Sequence, residues 1–377
     1  MKPSTKPANP RFGSGPCAKR PGWDAKNFDT TILGRSHRSV LGKKTIQEML
    51  DRTRSLLNIP KDYHIAMTPA SDTGAVEMAL WNMLGPDKGV DIFVWEHFSR
   101  EWLKDIEGEL KLKDCRAIEA PYGEIADLSQ MQPDRDAVFV WNGTTSGVCV
   151  PDGKSIPKGD KGLRICDATS AVFAYDMPWE ALDIVTWSWQ KVMGGEGQHG
   201  MIVISPKAMQ RLQDYKPSWP VPKVLKPLPG MFEASPVNTP SMLCVLDAID
   251  ALKWMEQIGG LSAVQKRVQD NAKVLEEWVA RTPWIAYLAT DPSIRSKTSI
   301  CFRVVAPEFV RLLTDSQIKL IDRMADIMEL ENVAFDIKSY KSAPLGFRIW
   351  GGATVESADL KLLTQWLDWA YAEVMSL

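Results

Sequence analysis

The sequence predicts an α/β fold: a mostly parallel central sheet flanked by helices, followed by a small C-terminal α+β unit. Short apolar runs alternate with helical patterns through the first two-thirds of the chain. Several of these runs, such as residues 137–141 and 201–204, are almost continuously apolar, as expected for strands covered on both faces. A length of 377 residues is sufficient for two domains.

The first part of the chain contains most of the predicted strands. They are expected, in chain order, at residues 65–67, 91–95, 115–118, 137–141, 163–166, 184–187 and 201–204. A helix is expected where Val76, Leu80 and Met83 share one apolar face, and a second helix over residues 99–112.

The chain changes character after residue 215. Residues 215–240 are rich in proline and are expected to be irregular. Further elements are expected as helices at 241–259 and 261–280, strands at 298–305, 333–337 and 346–350, and a closing helix that includes Leu360 and Leu367. The expected organisation is an N-terminal arm (1–16), a large domain (17–257) and a small domain (258–377).

Composition excludes several classes of protein. With 45 Lys and Arg against 47 Asp and Glu, the chain has no basic surplus for a nucleic-acid partner. We find no secretory signal and no run of about 20 apolar residues for a membrane helix. The six cysteines are scattered, which is typical of free thiols in the cytoplasm. The four histidines show no metal-ligand spacing, so no metal is expected.

Lys191 is the strongest candidate for chemistry. It follows an apolar strand and precedes a Gly-rich loop, and Trp187, Trp189 and Val192 flank it. Partial desolvation by such neighbours would lower the pKa of its amine and free it as a nucleophile. The pattern predicts a lysine that forms a Schiff base, the alternative being a solvated surface lysine.

Asp167 precedes Lys191 by one strand and its connection. The carboxyl end of a parallel strand is where open α/β sheets bind ligands. A pyridoxal cofactor needs a carboxylate on its ring nitrogen, so that the ring can accept electrons. Together the two residues predict a pyridoxal-phosphate site, whereas Asp167 alone would be interpreted as a helix cap or turn residue.

Residues 67–75 supply a candidate phosphate site. Small residues together with Asp72 and Thr73 lie between a strand and an amphipathic helix. The N-terminus of such a helix offers unpaired N–H groups and a dipole to a phosphate, and a plain N-cap is the alternative.

A different class of enzyme is suggested by Gly195, Gly197 and Gly200, which match the dinucleotide fingerprint G-x-G-x-x-G. They would indicate an NAD-dependent dehydrogenase if they closed a strand and opened a helix. Here they run into residues 201–204, which are expected to be a strand, and this favours the pyridoxal interpretation.

These motifs together resemble a divergent branch of the phosphoserine aminotransferase family, a group of fold-type I pyridoxal-phosphate enzymes. The matching segments are residues 12–16, 36–39, 141–147, 167–170, 188–191 with the glycines that follow, 237–240 and 346–348. The pair Gln190–Lys191 and the motif Asn238-Thr239-Pro240 are the most specific. The resemblance implies a fold-type I large domain with a small C-terminal domain.

The resemblance also implies the contacts of a pyridoxal 5'-phosphate cofactor. Lys191 would hold it as a Schiff base, Asp167 would pair with its ring nitrogen, and Phe98 would stack on its ring, a core aromatic being the alternative for Phe98. Cofactor contacts are further implied for Asp72 and Thr73 through backbone N–H groups, Gln190 at the phosphate, Thr145 by a hydrogen bond, and Asn238 and Thr239 from the neighbouring subunit. The last two imply a homodimer with shared sites.

Substrate binding is implied for a smaller set. Arg348 would clamp the substrate α-carboxylate, and His37 and Arg38 would bind the distal anion, a phosphate or the γ-carboxylate of glutamate. The family's arginine is missing at Thr73, and a histidine expected before Arg348 is absent. Lys341 could replace that histidine, although an exposed lysine without a role is the alternative.

The implied reaction is transamination between L-glutamate and 3-phosphohydroxypyruvate, which gives O-phospho-L-serine and 2-oxoglutarate in serine biosynthesis. The related phosphohydroxythreonine step of vitamin B6 (pyridoxine) synthesis is a further possibility. Another fold-type I enzyme, such as a serine–glyoxylate or alanine–glyoxylate aminotransferase, is the nearest alternative.

Overall fold

The structure is a computed structural model that describes residues 1–85 and 87–376. Its first elements are α1 (Val40–Leu56), β1 (His64–Pro69), α2 (Ser71–Met83), β2 (Val90–Val94), α3 (His97–Lys104), β3 (Cys115–Glu119), β4 (Asp136–Val140), β5 (Asn142–Gly143), β6 (Val148–Cys149), β7 (Arg164–Asp167), β8 (Ile184–Ser188) and β9 (His199–Ile204). The later elements are α4 (Pro206–Asp214), α5 (Met242–Gln257), α6 (Gly260–Arg281), β10 (Ile285–Tyr287), β11 (Ser299–Val304), α7 (Pro307–Val310), α8 (Thr314–Leu330), β12 (Phe347–Trp350) and α9 (Ser357–Met375).

A seven-stranded sheet with the order β1-β9-β8-β7-β4-β2-β3 forms the centre of the molecule. The strands from β8 through β3 in this order pair in parallel, and β9 runs antiparallel to both β1 and β8. Every residue of β2, β4, β8 and β9 is buried, because helices cover both faces of the sheet. The predicted mostly parallel sheet is therefore confirmed.

The strand directions bring several loops together at one edge of this sheet. In the register of β7 and β8, Asp167 lies opposite Thr186. Because β9 is antiparallel, its first residue, His199, lies opposite Pro69 at the end of β1. The ends of β1, β7 and β8 therefore share an edge with the start of β9, and this edge positions the site described below.

A second sheet, antiparallel with the order β10-β11-β12, forms in the last third of the chain. Helix α9 packs on α6 and α8 near it. The predicted helices at 241–259 and 261–280 are confirmed as α5 and α6, and only Ile258 and Gly259 separate them. The proline-rich stretch has only short 3-10 turns, at Lys223–Leu225 and Pro229–Glu233.

Two predicted elements differ from the structure. Residues 333–337 do not form a strand, because Asp336 has the left-handed φ of 56° and breaks the extended backbone. Phe335 makes only an isolated bridge to Arg11. The helix expected over 99–112 is shorter in the structure, where α3 ends at Lys104. One π turn over Asp105–Glu109 follows it.

None of the helices within residues 1–85 and 87–376 combines the length and apolar character that crossing a membrane requires.

Candidate active site

Lys191 lies in the turn that follows β8, at the shared edge of the central sheet. Its side chain is 8% exposed, and its Nζ donates to the backbone carbonyls of Ser14 and of Gly15, the latter at 3.1 Å. Burial is the main cause of a lowered pKa for this amine, and the charge of Arg348 lowers it further. The structure thus places a partly activated amine where the sequence predicts a nucleophilic lysine.

The turn after Lys191 depends on glycine. Gly194 has a φ of 65°, and a Cβ built on it would lie 2.3 Å from the carbonyl oxygen of Ala18. A residue with a side chain would displace the N-terminal segment that lies against Lys191.

Asp167 ends β7 with its carboxylate held on both oxygens. The indole Nε1 of Trp102 donates to Oδ2 at 3.1 Å, and the backbone N–H of Thr169 donates to Oδ1 at 3.0 Å. These two donors fix the plane of the carboxylate. Asp167 is also among the charged groups that act on Lys191, so the two predicted residues lie close together. The region around these two side chains is called the pocket below.

The N-terminus of α2 adjoins this pocket. Ala70 and Ser71 have left-handed φ values of 61° and 58°, and no side chain in the described part of the protein caps the helix. Gln190 donates from Nε2 to the hydroxyl of Ser71 at 3.1 Å. The first-turn N–H groups of Asp72 and Thr73 are thus available to an anion beside Gln190.

The side chain of Asp72 points inward rather than to solvent. It faces the carboxyl of Asp167 and the hydroxyls of Thr169 and Thr186. Burial and the neighbouring charge of Asp167 raise the pKa of Asp72 well above its usual range.

Helix α3 carries Phe98 and is anchored by a buried acid. Glu96 caps the helix by accepting from the N–H of Ser99 at 2.8 Å, and it also accepts from the hydroxyl of Thr145 at 2.9 Å. The Thr145 hydroxyl is thus engaged by Glu96. The hydroxyl of the preceding residue, Thr144, lies 2.8 Å from that of Ser170 on the segment that follows Asp167.

Arg348 projects from β12 as a buried cation. It is 9% exposed, and its Nε has no hydrogen-bond partner among the residues that the structure describes. Its guanidinium lies 5.5 Å from the ring centroid of Tyr340, which in turn contacts His97 and Phe98. A guanidinium in this state is suited to a carboxylate ligand, and a bidentate pair would satisfy its free N–H groups.

None of the remaining predicted side chains forms a hydrogen bond or an ion pair with Lys191 among the residues that the structure describes. Arg38, Thr73, Asn238, Thr239 and Lys341 are exposed. His37 is buried, and its Nε2 has no partner among the described residues. Their assigned roles remain predictions.

Several residues at the site were not predicted. Ser14 and Gly15 contribute carbonyl groups, Trp102 orients Asp167, and Tyr340 covers Arg348. Trp102 could have been found, because residues four apart share a helix face and Phe98 lies four positions earlier. Ser14 and Gly15 lie in the segment 12–16 that matches the family, but the resemblance implied no role for them, and Tyr340 carries no local signal in the sequence.

The dehydrogenase alternative lacks its structural context. Gly195 and Gly197 precede β9, which begins at His199, so no helix starts at the glycines.

Both ring nitrogens of His199 are engaged, Nδ1 with the carbonyl of Thr68 and Nε2 with the N–H of Ser241. In the described part of the chain, no group of three His, Cys, Asp or Glu side chains is arranged to hold a metal ion.

The residues present fit a pyridoxal-phosphate cofactor. A buried amine with a lowered pKa, an oriented carboxylate on the neighbouring strand and an uncapped helix N-terminus share one pocket. Lys191 would hold the carbonyl carbon of the cofactor, Asp167 the ring nitrogen and the start of α2 the phosphate. The fold and the site together define a pyridoxal-phosphate-dependent enzyme of fold type I.

Comparisons with known proteins identify the family. No family model matches the chain. It is 51% identical to the phosphoserine aminotransferase of Methanosarcina barkeri and 50% identical to that of Methanosarcina mazei, in each case over 98% of this chain and 99% of the relative. The pyridoxal-phosphate-bound phosphoserine aminotransferase of Trichomonas vaginalis has the same fold, with a TM-score of 0.80 at 18% identity over 96% of this chain and 99% of that chain. The chain belongs to the phosphoserine aminotransferase family.

Proposed function

We propose that this enzyme transfers the amino group of L-glutamate to 3-phosphohydroxypyruvate, giving O-phospho-L-serine and 2-oxoglutarate in serine biosynthesis. The observation that carries the proposal is the shared pocket of Lys191, Asp167 and Arg348. It supplies an amine, a carboxylate for a ring nitrogen and an unpaired cation for a substrate carboxylate. The names of the relatives with about half of their residues identical support the choice of substrates.

Bound pyridoxal phosphate supplies an electron sink for the negative charge that develops at the substrate α-carbon. Nζ of Lys191 is the base that takes the proton from the α-carbon of the amino donor and later supplies a proton to the α-carbon of the keto acid, because burial favours its neutral form. Oδ1 or Oδ2 of Asp167 accepts the hydrogen bond of the ring nitrogen, and Trp102 holds that carboxylate in place. The cofactor contacts proposed for Phe98 and Thr145 complete the set around the ring.

Arg348 is proposed to hold the α-carboxylate of both substrates in turn. Its guanidinium sits under Tyr340, and this contact keeps it in place before a carboxylate arrives. A bidentate pair would orient the α-carbon toward Lys191.

A homodimer with shared sites completes the proposal. Asn238 and Thr239 are exposed and would reach the cofactor phosphate of a second copy, together with Gln190, Asp72 and Thr73 of that copy. His37 and Arg38 would bind the distal anion of the substrate, with Lys341 as a further cation. The exposure of Arg38 supports a role across a subunit boundary.

We also propose the domain division 1–16, 17–257 and 258–377, which is supported by the break between α5 and α6.

A cytoplasmic location is proposed because all six cysteines are free thiols. The phosphohydroxythreonine precursor of vitamin B6 is proposed as a second substrate, since it carries the same phosphate and the same α-carboxylate.

The test is a steady-state comparison of keto acids with glutamate as donor. We expect kcat/KM for 3-phosphohydroxypyruvate to exceed that for pyruvate, glyoxylate and oxaloacetate by at least about 100-fold, because a phosphate contact contributes several charge-assisted hydrogen bonds. Comparable values for glyoxylate would instead indicate an alanine–glyoxylate or serine–glyoxylate type of aminotransferase. Comparable values for pyruvate would remove the phosphate-specific part of the proposal.

A further inference from the structure

A second carboxylic acid lies against Asp167 inside the pocket. Asp72 is the second residue of α2, and its side chain is turned from the helix toward the ends of β7 and β8. It is only 6% exposed, and its Oδ1 has no hydrogen-bond partner among the described residues. The role that the sequence predicts for Asp72 uses only its backbone N–H, so it does not account for this buried carboxyl.

The surroundings of the pair decide which acid holds a proton. Two buried carboxyl groups that face each other cannot both be ionised without a large cost. Both carboxylate oxygens of Asp167 accept hydrogen bonds from N–H groups, one of Trp102 and one of Thr169. Such donors stabilise the ionised form of the acid. Oδ1 of Asp72 accepts no such hydrogen bond in the described part of the chain. The proton of the pair therefore belongs to Asp72.

The hydroxyls of Thr169 and Thr186 also face Asp72, and they favour its ionised form. Burial and the charge of Asp167 act more strongly in the opposite direction, so the pKa of Asp72 stays raised. Cys166 is buried with a pKa raised well above its usual range, so it adds no charge. The amine of Lys191 also lies near the pair, and it donates to backbone carbonyls rather than to Asp72.

We propose that Asp72 is a positioning residue for the cofactor: as a neutral acid it donates a hydrogen bond to Asp167, which holds that carboxylate toward the cofactor ring nitrogen and leaves one negative charge in the pocket instead of two. This inference rests on the proposed function only in that Asp167 serves the ring nitrogen. It is independent of which keto acid the enzyme accepts.

Two substitutions separate a neutral donor from a charged group. Asp72→Asn keeps the shape and a hydrogen-bond donor but cannot be ionised, so it should replace a neutral acid. Asp72→Ala removes the donor and leaves Asp167 less constrained. Asp326→Asn, at an exposed position on α8, is the control for a carboxyl-to-amide change.

The first measurement is the dissociation constant of pyridoxal phosphate. Holoenzyme is stripped of cofactor and titrated with it between pH 6 and 9, with the visible absorbance band as the signal. We expect Asp72→Asn and Asp326→Asn to bind within about twofold of the unaltered protein, and Asp72→Ala to bind about tenfold more weakly. Equal weakening by Asp72→Asn and Asp72→Ala, or unweakened binding by Asp72→Ala, would overturn the proposal.

The second measurement detects the proton itself. An infrared difference spectrum between the unaltered protein and Asp72→Asn, both free of cofactor, should contain the C=O stretch of a protonated carboxylic acid at pH 7. Its absence would overturn the assignment even if Asp72→Ala failed to fold. A protein that shows this band but does not bind pyridoxal phosphate would instead contradict the proposed function.

Discussion

The indole N–H of Trp102 donates to Oδ2 of Asp167 across 3.1 Å and connects α3 to the end of β7. Phe98 lies about one turn earlier on the same helix. One helix thus carries the aromatic ring proposed to stack on the cofactor and the indole that orients the carboxylate proposed for its ring nitrogen. Both contacts therefore depend on the placement of α3.

Replacement of Trp102 by Phe should weaken cofactor binding about ten- to a hundredfold. The phenyl ring fills most of the space, but it cannot donate to Asp167, and a hydrogen bond to a charged group contributes about 1.5–3 kcal/mol. Titration with pyridoxal phosphate measures the effect. Trp219→Phe is the matched control, because that indole donates to the backbone carbonyl of Trp81. Equal affinities of the two variants would contradict the role of Trp102.

Replacement of Lys191 by Ala should lower kcat by at least about 10³-fold, because it removes both the covalent anchor and the base. The variant should also lack the absorbance band of the cofactor joined to lysine. Turnover is measured with saturating glutamate. Lys338→Ala, at an exposed ion pair with Asp322, is the control and should keep full turnover. Unchanged turnover in Lys191→Ala would refute the assignment of the catalytic base.

Replacement of Arg348 by Gln should lower kcat/KM about 100-fold for both glutamate and the keto acid, since both carry an α-carboxylate. Arg348→Lys should recover little of the loss, because a point charge does not reproduce a bidentate pair. Arg303→Gln, on the neighbouring β11 with an exposed side chain, is the control. A loss confined to one of the two substrates would contradict a shared carboxylate site.

Glu96 should make the stability of the protein depend on pH. Burial is the main cause that raises the pKa of Glu96 from 4.5 to about 7. Between these values the unfolded chain releases a proton that the folded protein keeps, so the Glu96 contribution to the free energy of unfolding falls as pH rises. The loss reaches about 3 kcal/mol above pH 7.

Glu96→Gln removes this titration. Relative to the unaltered protein, its free energy of unfolding should therefore increase between pH 4.5 and 7 and then stay level. Denaturant unfolding at a series of pH values measures the difference, and Glu233→Gln, at an exposed position, serves as the control. A constant difference across this pH range would show that Glu96 does not titrate there.

Much of the fold could be predicted because the local pattern is strong. Strands such as β4 and β8 are continuously apolar and buried on both faces, so their type follows from the sequence. The pattern failed at residues 333–337, where apolar residues are present but Asp336 turns the backbone. The pattern also predicted a helix that extends beyond the end of α3, because helical periodicity does not distinguish an α turn from the π turn that follows Lys104.

The candidate site also contains some residues that the sequence predicts and others that it does not. Lys191 and Asp167 could be predicted, because Asp167 ends β7, Lys191 lies in the turn after β8, and parallel strands end at one edge of a sheet. The side-chain directions of Thr145 and Asp72 could not, because they depend on which neighbour each side chain meets. Thr145 meets the buried Glu96, and Asp72 on helix α2 meets Asp167 at the end of β7.

By itself, the sequence determined the order and type of most elements and the two residues that carry the proposed chemistry, since these follow from periodicity and from the chemistry of single side chains. Only the tertiary structure decided what surrounds them. The carbonyls of Ser14 and Gly15 at Lys191 and the indole of Trp102 at Asp167 come from distant parts of the chain. Contacts over such separations are set by the packing of whole elements, which no local pattern encodes.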